Sequence, residues 1–332
     1  MAEKALGEFG MAGARFKFVR QAGNTVYRVT AEGLIEKPKS RFYEPNSFVL
    51  RIHHSSEQTT EAIALELDWL ASACRRFRLP VPQPVPTPDG CLLVRVTEPG
   101  LDEPRDCSLL RWVKGRLLTK GIGPQHYRAQ GRIMAQLHNY SAKWPIPISR
   151  AKRSFDYAGL FIDDAGAGMT NGEAWAYLPD HYRKPCQMVA QEVGRVMKRW
   201  GRSADVFGLI HGDCGLDANV LFDHGEARII DFDGSGFGYY VYDLALALEH
   251  CWEDADYTLN REALLEGYVE HRDLSRDQLQ QMDLFLAAFY VYMSLWTAAM
   301  DQVRPDSPHG PSRRQRWQER GLQYYERFIL QG

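Results

Sequence analysis

A chain of 332 residues with 45% hydrophobic content has material for two lobes and a substantial core. Its formal charge of −2 gives no global basic field, so a nucleic-acid partner is not expected. Six cysteines, Cys74, Cys91, Cys107, Cys186, Cys214 and Cys251, stand far apart with no CxxC spacing, which fits reduced thiols in a cytoplasmic protein. The N-terminus lacks a basic region followed by an apolar run, so no secretory signal is expected. One stretch, Leu284 to Met300, is apolar enough to suggest a membrane. It contains Tyr290, Tyr292, Ser294 and Trp296 and reads better as a buried helix than as a span.

From Phe16 to Val96 the pattern is strand-like. Phe16–Val19, Thr25–Thr30 and Ser47–Ile52 are predicted strands, with a loop at Glu36–Pro45. Thr60 to Cys74 carries Ile63, Leu67, Leu70 and Ala71 at helical spacing and stops at Leu79-Pro80-Val81-Pro82-Gln83-Pro84. Strands resume at Val85 and Cys91–Val96 around the turn Thr87-Pro88-Asp89-Gly90. These elements make a small antiparallel sheet with one helix.

Beyond Ser108–Gly115 the chain is mainly helical, with predicted helices at Pro124–Tyr140, Pro185–Trp200, Tyr242–Cys251, Arg261–His271 and Arg276–Met300. The run Ser312-Arg313-Arg314-Gln315-Arg316 reads as a solvated helix start. The predicted fold class is α+β and two-lobed. A β-rich lobe spans 1–107, a linker 108–115, and a helical lobe with a hairpin and a substrate pocket 116–332.

That hairpin carries the chemistry. Val220–Phe222 and Ala227–Ile230 are apolar strands around the turn-like Asp223-His224-Gly225-Glu226, which sets Asn219 near Ile230 and Asp231. Asp213 lies in the loop feeding the first strand, and Asp233 shares the side of Asp231 if the strand persists. Oxygen donors from Asp213, Asn219 and Asp231 at one point suit a hard cation such as magnesium, and magnesium suits phosphate.

In order, His211-Gly212-Asp213, Asn219, Ile230-Asp231-Phe232-Asp233 and Tyr242-Asp243-Leu244-Ala245 resemble the aminoglycoside phosphotransferase and choline kinase-like branch of the protein-kinase-like fold. The pattern is most similar to the homoserine kinase type II and stress response kinase A group. Asn24-Thr25-Val26-Tyr27-Arg28-Val29, Phe48-Val49-Leu50-Arg51, Glu66-Leu67-Asp68-Trp69-Leu70, Leu79-Pro80-Val81-Pro82 and Leu109-Leu110-Arg111-Trp112 extend it over most of 16–250. The resemblance implies an ATP- and Mg2+-dependent kinase. Asp213 matches its catalytic base, Asn219 and Asp231 its metal ligands, and Asp243 a residue that braces the catalytic loop. His211 is expected to be structural. Asp233 is either an outer support of the metal site or an ion-pair partner.

In the first lobe, Arg51 stands where the family usually carries a phosphate-contacting lysine, with Glu66 as its partner acid and Glu61 in reserve. The loop Gln21-Ala22-Gly23-Asn24-Thr25 would close over the phosphates, although an ordinary hairpin turn would look the same. Leu110 and Trp112 lie in the stretch expected to supply backbone hydrogen bonds to adenine. Trp112 reads equally as slot wall or core.

One departure stands out. Five residues separate Asp213 from Asn219, where the family has about four. A bulge at Gly215-Leu216-Asp217 would absorb the excess and leave Asp217 facing water. Phe155, Asp156, Tyr157, Trp175, Tyr177 and Tyr182 either hold an amine-bearing small molecule or cap the helical core. The expected function is transfer of phosphate to a hydroxyl of a small-molecule acceptor such as an amino alcohol, sugar or aminoglycoside-like compound. The alternatives are a Ser/Thr protein kinase, a catalytically inactive nucleotide-binding protein on the same fold, and, least favoured for want of clustered histidines, a metal hydrolase.

Overall fold

The computed structural model describes residues 1–31, 40–54, 58–100, 103–145, 152–163, 168–303 and 310–330. In chain order the elements are α1 (Ala2–Glu8), β1 (Arg15–Ala22), β2 (Asn24–Thr30), β3 (Tyr43–Ile52), α2 (Thr60–Ser72), β4 (Leu93–Val96), β5 (Arg105–Val113) and α3 (Pro124–Ser141). Then come β6 (Ser154–Phe155), α4 (Tyr157–Phe161), α5 (Asn171–Ala174), α6 (Asp180–Trp200), β7 (Phe207–Ile210), β8 (Val220–Asp223) and β9 (Glu226–Ile229). The chain closes with β10 (Gly236–Tyr239), α7 (Tyr240–Leu246), α8 (Tyr257–Val269), α9 (Arg276–Val303) and α10 (Gly310–Tyr324). Much of the expected loop Glu36–Pro45 lies outside the described residues. Its end, from Tyr43, is already strand.

Two compact units divide the chain. The first is Met1–Ile122 with Asp217–Asp233, and the second is Gly123–Leu216 with Gly234–Gly332. The first unit holds an antiparallel sheet in the order β1-β2-β3-β5-β4. Strand alternation sends Phe48, Leu50 and Ile52 of β3 and Cys107 and Leu109 of β5 to one face, where Ala5, Leu6 and Phe9 cover them. The covering helix α1 was not anticipated, because seven residues are too few to show a clear period.

Two boundaries differ from the sequence-based expectation. Residues 108–113 are no linker, because they are the second half of β5: Ser108–Arg111 and Val113 pair with β3, while on the other edge Ser108 pairs with β4 and Leu109 and Arg111 bond to Val85 and Gln83. The hairpin β8–β9 belongs with the sheet rather than with the helices. Arg116 and Phe222 exchange backbone hydrogen bonds of 3.0 and 2.9 Å, and buried Arg228 donates to the carbonyls of Phe42 and Lys114. Tyr43, Val113 and Leu221 add an apolar contact to the same join.

The second unit is mainly helical around a small sheet, β6-β10-β7. Its central helix α9 is long and apolar enough to cross a membrane by composition, yet 78% of that stretch is buried within the fold. Trp200 of α6 stacks on Phe285 of α9 with ring centroids 5.5 Å apart. Tyr182 is buried with its hydroxyl 3.2 Å from Ser294, so core packing accounts for that aromatic. All six cysteines are free thiols.

Candidate active site

The second face of the sheet builds a cavity of about 320 Å³ in the first unit. Cross-strand register places Val26 of β2 beside Arg51 of β3, and Arg51 beside Ser108 of β5, while Val49 pairs with Leu110. Period-two alternation therefore brings Val26, Val49, Arg51, Leu110 and Trp112 to the face opposite the α1 core. The hairpin contributes Asn219, Ile230 and Asp231, and α2 contributes Glu66 and Leu70. Trp112 is half-buried, with the Arg28 guanidinium 4.3 Å from its ring centroid.

Helix α2 explains how an acid comes to be buried there. Thr59 caps it by accepting from the Ala62 amide at 3.2 Å, and Ile63, Glu66, Leu67 and Leu70 share the inward stripe. Glu66 is 1% exposed, and its carboxylate accepts from Arg51 at 2.6 Å. Arg51 is equally buried and also pairs with Asp233, while its Nε lies 3.4 Å from Ser108 Oγ. Burial opposes the guanidinium charge, but Glu66 first and Asp233 second more than offset it, so Arg51 stays protonated. Glu61 sits exposed in the first turn of α2 and takes no part in this pair.

Asp233 is thus an ion-pair partner of Arg51. It also accepts from the Asn24 side chain, and its backbone carbonyl accepts from Gln58 at 2.9 Å. Asn24 opens β2 just after the turn at Gly23, and it is buried. The loop Gln21–Thr25 is a hairpin turn tied down through that amide. Asp231 lines the cavity and pairs with Arg20. The hairpin geometry matches expectation closely. The Ile230 amide donates to the Asn219 carbonyl at 2.9 Å, and the turn places His224 at φ 51° and Gly225 at φ 80°.

In the second unit the loop after β7 carries His211, Gly212 and Asp213. Asp243 of α7 holds this loop, accepting from the amides of His211 at 3.1 Å and Gly212 at 2.8 Å. His138 Nε2 lies 3.0 Å from Asp243, and His138 Nδ1 lies 2.8 Å from the Tyr268 hydroxyl. Burial raises the Asp243 carboxyl, but His138 and the loop amides outweigh it and hold it below its ordinary value. Burial likewise depresses His138, so the pair fits a neutral imidazole donating to an ionised carboxylate. Gly212 has φ 75°, and a Cβ there would lie 2.8 Å from the Gly234 carbonyl oxygen and the Phe155 ring.

Asp213 follows as an exposed side chain, with its amide donating to Nδ1 of buried His211 at 3.2 Å. The next residue, Cys214, is fixed through its carbonyl by the Gln130 side chain at 2.6 Å. The chain then turns through 216–219. Asp217 is exposed. Among the aromatic segments, Phe155 stacks on Tyr242 at 5.3 Å, Asp156 caps α4 by accepting from Gly159 and pairs with Arg202, and Tyr157 and Tyr177 are exposed.

Six of the residues singled out in the sequence therefore share one cavity wall: Arg51, Glu66, Leu110, Trp112, Asn219 and Asp231. Asn24 stands behind it on Asp233, and Asp213 belongs to the second unit. Sequence reasoning missed Arg20 and Gln58. A register shift between Phe18 and Arg20 breaks the alternation of β1, and that signal is invisible without the partner strand.

A basic residue bonded to a helix acid, beside an amide and a carboxylate on a hairpin, on an antiparallel sheet with a separate helical unit, defines a phosphotransferase of the protein-kinase-like fold. Residues 17–280 match the phosphotransferase enzyme family, and the chain belongs to it. It is 25% identical over 206 residues to a homoserine kinase of Parvibaculum lavamentivorans, covering 61% of this chain and 59% of that protein's length. The structure of a microcompartment-associated aminopropanol kinase shares the fold at TM-score 0.75 and 22% identity, over 99% of this chain and 96% of the other. An amicoumacin kinase in complex with AMP-PNP, Ca2+ and Ami does so at TM-score 0.76 and 19% identity, over 99% and 93%.

Proposed function

We propose that this protein is an ATP- and magnesium-dependent kinase that phosphorylates a hydroxyl of a small molecule. The observation that carries the reading is the cavity wall on which Arg51, bonded to Glu66, faces the same space as Asn219 and Asp231. Leu110, Trp112, Val26 and Val49 supply an apolar slot suited to a purine ring, and Arg51 and Arg20 supply charge suited to phosphates. Asn219 and Asp231 offer an amide oxygen and a carboxylate, hard donors that fit Mg2+. When bound, the cation would neutralise phosphate charge during transfer. The turn at Asn24 is assigned to the phosphate side of the nucleotide. Asp213 is assigned to the proton of the acceptor hydroxyl.

The relatives named for homoserine and aminopropanol favour an amino alcohol as acceptor class. The test is ATP turnover with magnesium over a panel of amino alcohols, sugars, aminoglycosides and a generic protein. Asp213→Asn should lower kcat by roughly 10²- to 10⁴-fold while leaving nucleotide binding intact. Nucleotide binding without turnover in either wild type or Asp213→Asn would favour a non-catalytic binding protein. Absence of any nucleotide binding would sink the reading altogether.

A further inference from the structure

A second cavity, of about 680 Å³, opens in the first unit beside β3 and β5 and is lined by Arg41, Arg75, Arg78 and Arg111 together with Phe42 and Gln83. No carboxylate lines it among the described residues. Local structure gathers the charges. After α2 the backbone widens into a π-helical turn, Ala73–Phe77, and Arg78 takes a left-handed conformation at φ 52° ahead of Leu79-Pro80. That irregular exit brings Arg75 and Arg78 to the cavity, while β5 delivers Arg111 from the sheet.

Arg111 is the informative member. It is half-buried, its guanidinium lies 5.7 Å from the Phe48 ring centroid, and it has no carboxylate partner among the described residues. Burial without a counter-charge pulls its pKa below the ordinary value. Arg75 and Arg78 are exposed and make no ion pair among the described residues, whereas Arg41 is already engaged by Glu226 at 2.6 Å. Three guanidiniums, those of Arg75, Arg78 and Arg111, thus line one space with no acid beside them among the described residues. Planar guanidinium forks match phosphate oxygens two at a time.

We propose that this cavity is a binding site for a small phosphorylated metabolite, separate from the nucleotide cavity. Its volume accommodates a ligand of metabolite size, and Phe42 and the stem of Arg111 offer apolar surface for the rest of such a molecule. Arg111 borders both cavities, so the ligand would sit one residue along β5 from Leu110 and Trp112.

Inorganic pyrophosphate is the probe, titrated calorimetrically at constant ionic strength with EDTA present, so that no magnesium complex forms. Wild type should bind it, and the double variant Arg75→Ala/Arg78→Ala should weaken binding by about tenfold or more. Arg76→Ala, an exposed neighbour outside the cavity, should leave binding unchanged and controls for net charge. Arg111→Leu should weaken binding with an unchanged circular dichroism spectrum. Arg20→Ala, in the nucleotide cavity, should have no effect. Absence of pyrophosphate binding, an equal loss in Arg76→Ala, or a loss confined to Arg20→Ala would each overturn the proposal.

Discussion

Arg51 and Glu66 form an ion pair in which neither side chain reaches solvent to any extent. Breaking such a pair leaves a buried charge without its counterpart, so Glu66→Ala should destabilise the fold by about 3 kcal/mol, measured by urea unfolding. Asp233 remains as a second partner of Arg51, and Glu66→Gln should therefore cost less. A loss within experimental error for Glu66→Ala would show that Asp233 alone satisfies Arg51. The His138–Asp243 pair makes a prediction about pH. Folding lowers the pKa of His138, so the unfolded chain binds the extra proton first and stability declines as pH falls below about 6.5, with a slope of up to about 1.4 kcal/mol per pH unit. Asp243 is also lowered, and its contribution is lost further down, as pH falls from about 3.9 through its folded value. Replacing His138 with Gln should flatten the window just below pH 6.5 in urea midpoints, and an unchanged slope would refute the assignment. At this scale the sequence made Arg51, Glu66, Asn219 and Asp231 legible by residue type and order. It hid Arg20 and Gln58, whose roles depend on a bulge and on distant chain segments.

Among the elements, the hairpin β8–β9 was the most readable, because a two-residue loop leaves few turn types open. His224 occupies a left-handed conformation that asparagine tolerates better, so His224→Asn beside Gly225 should stabilise by roughly 0.5 kcal/mol in urea unfolding. A loss instead would mean that the 3.8 Å contact of His224 with Asp223 matters more than backbone strain. Helix α2 was legible for the same kind of reason, since apolar spacing fixes which face turns inward and Glu66 falls on it. Strand β5 was not. Leu109-Leu110-Arg111-Trp112 has no clean alternation of polar and apolar residues, because both of its faces are used, one by the core and one by the cavity. The short strands β6, β7 and β10 escaped notice because no hairpin turn joins them, and each pairs with a segment distant in sequence.

For the molecule as a whole, ligand binding should register as stability. A nucleotide that binds only the folded protein, supplied with magnesium at 100 times its Kd, should add about 2.7 kcal/mol to unfolding. Asp231→Asn should forfeit the magnesium-dependent part of that gain, and retention of the full gain would remove Asp231 from the metal site. Asp217–Asp233 is embedded in a helical stretch of chain, yet it joins the sheet, through Arg116, Arg228 and the Tyr43–Val113–Leu221 contact. Local patterning determined the class of fold, the strands and helices of strong period, and the residue types able to handle a phosphate, because these follow from side-chain chemistry and spacing along the chain. Only the tertiary structure decided that β5 replaces a linker, that the hairpin belongs to the first unit, and that Asp233 neutralises Arg51. Each of these is a pairing across many residues, and its energy comes from partners that no local window contains.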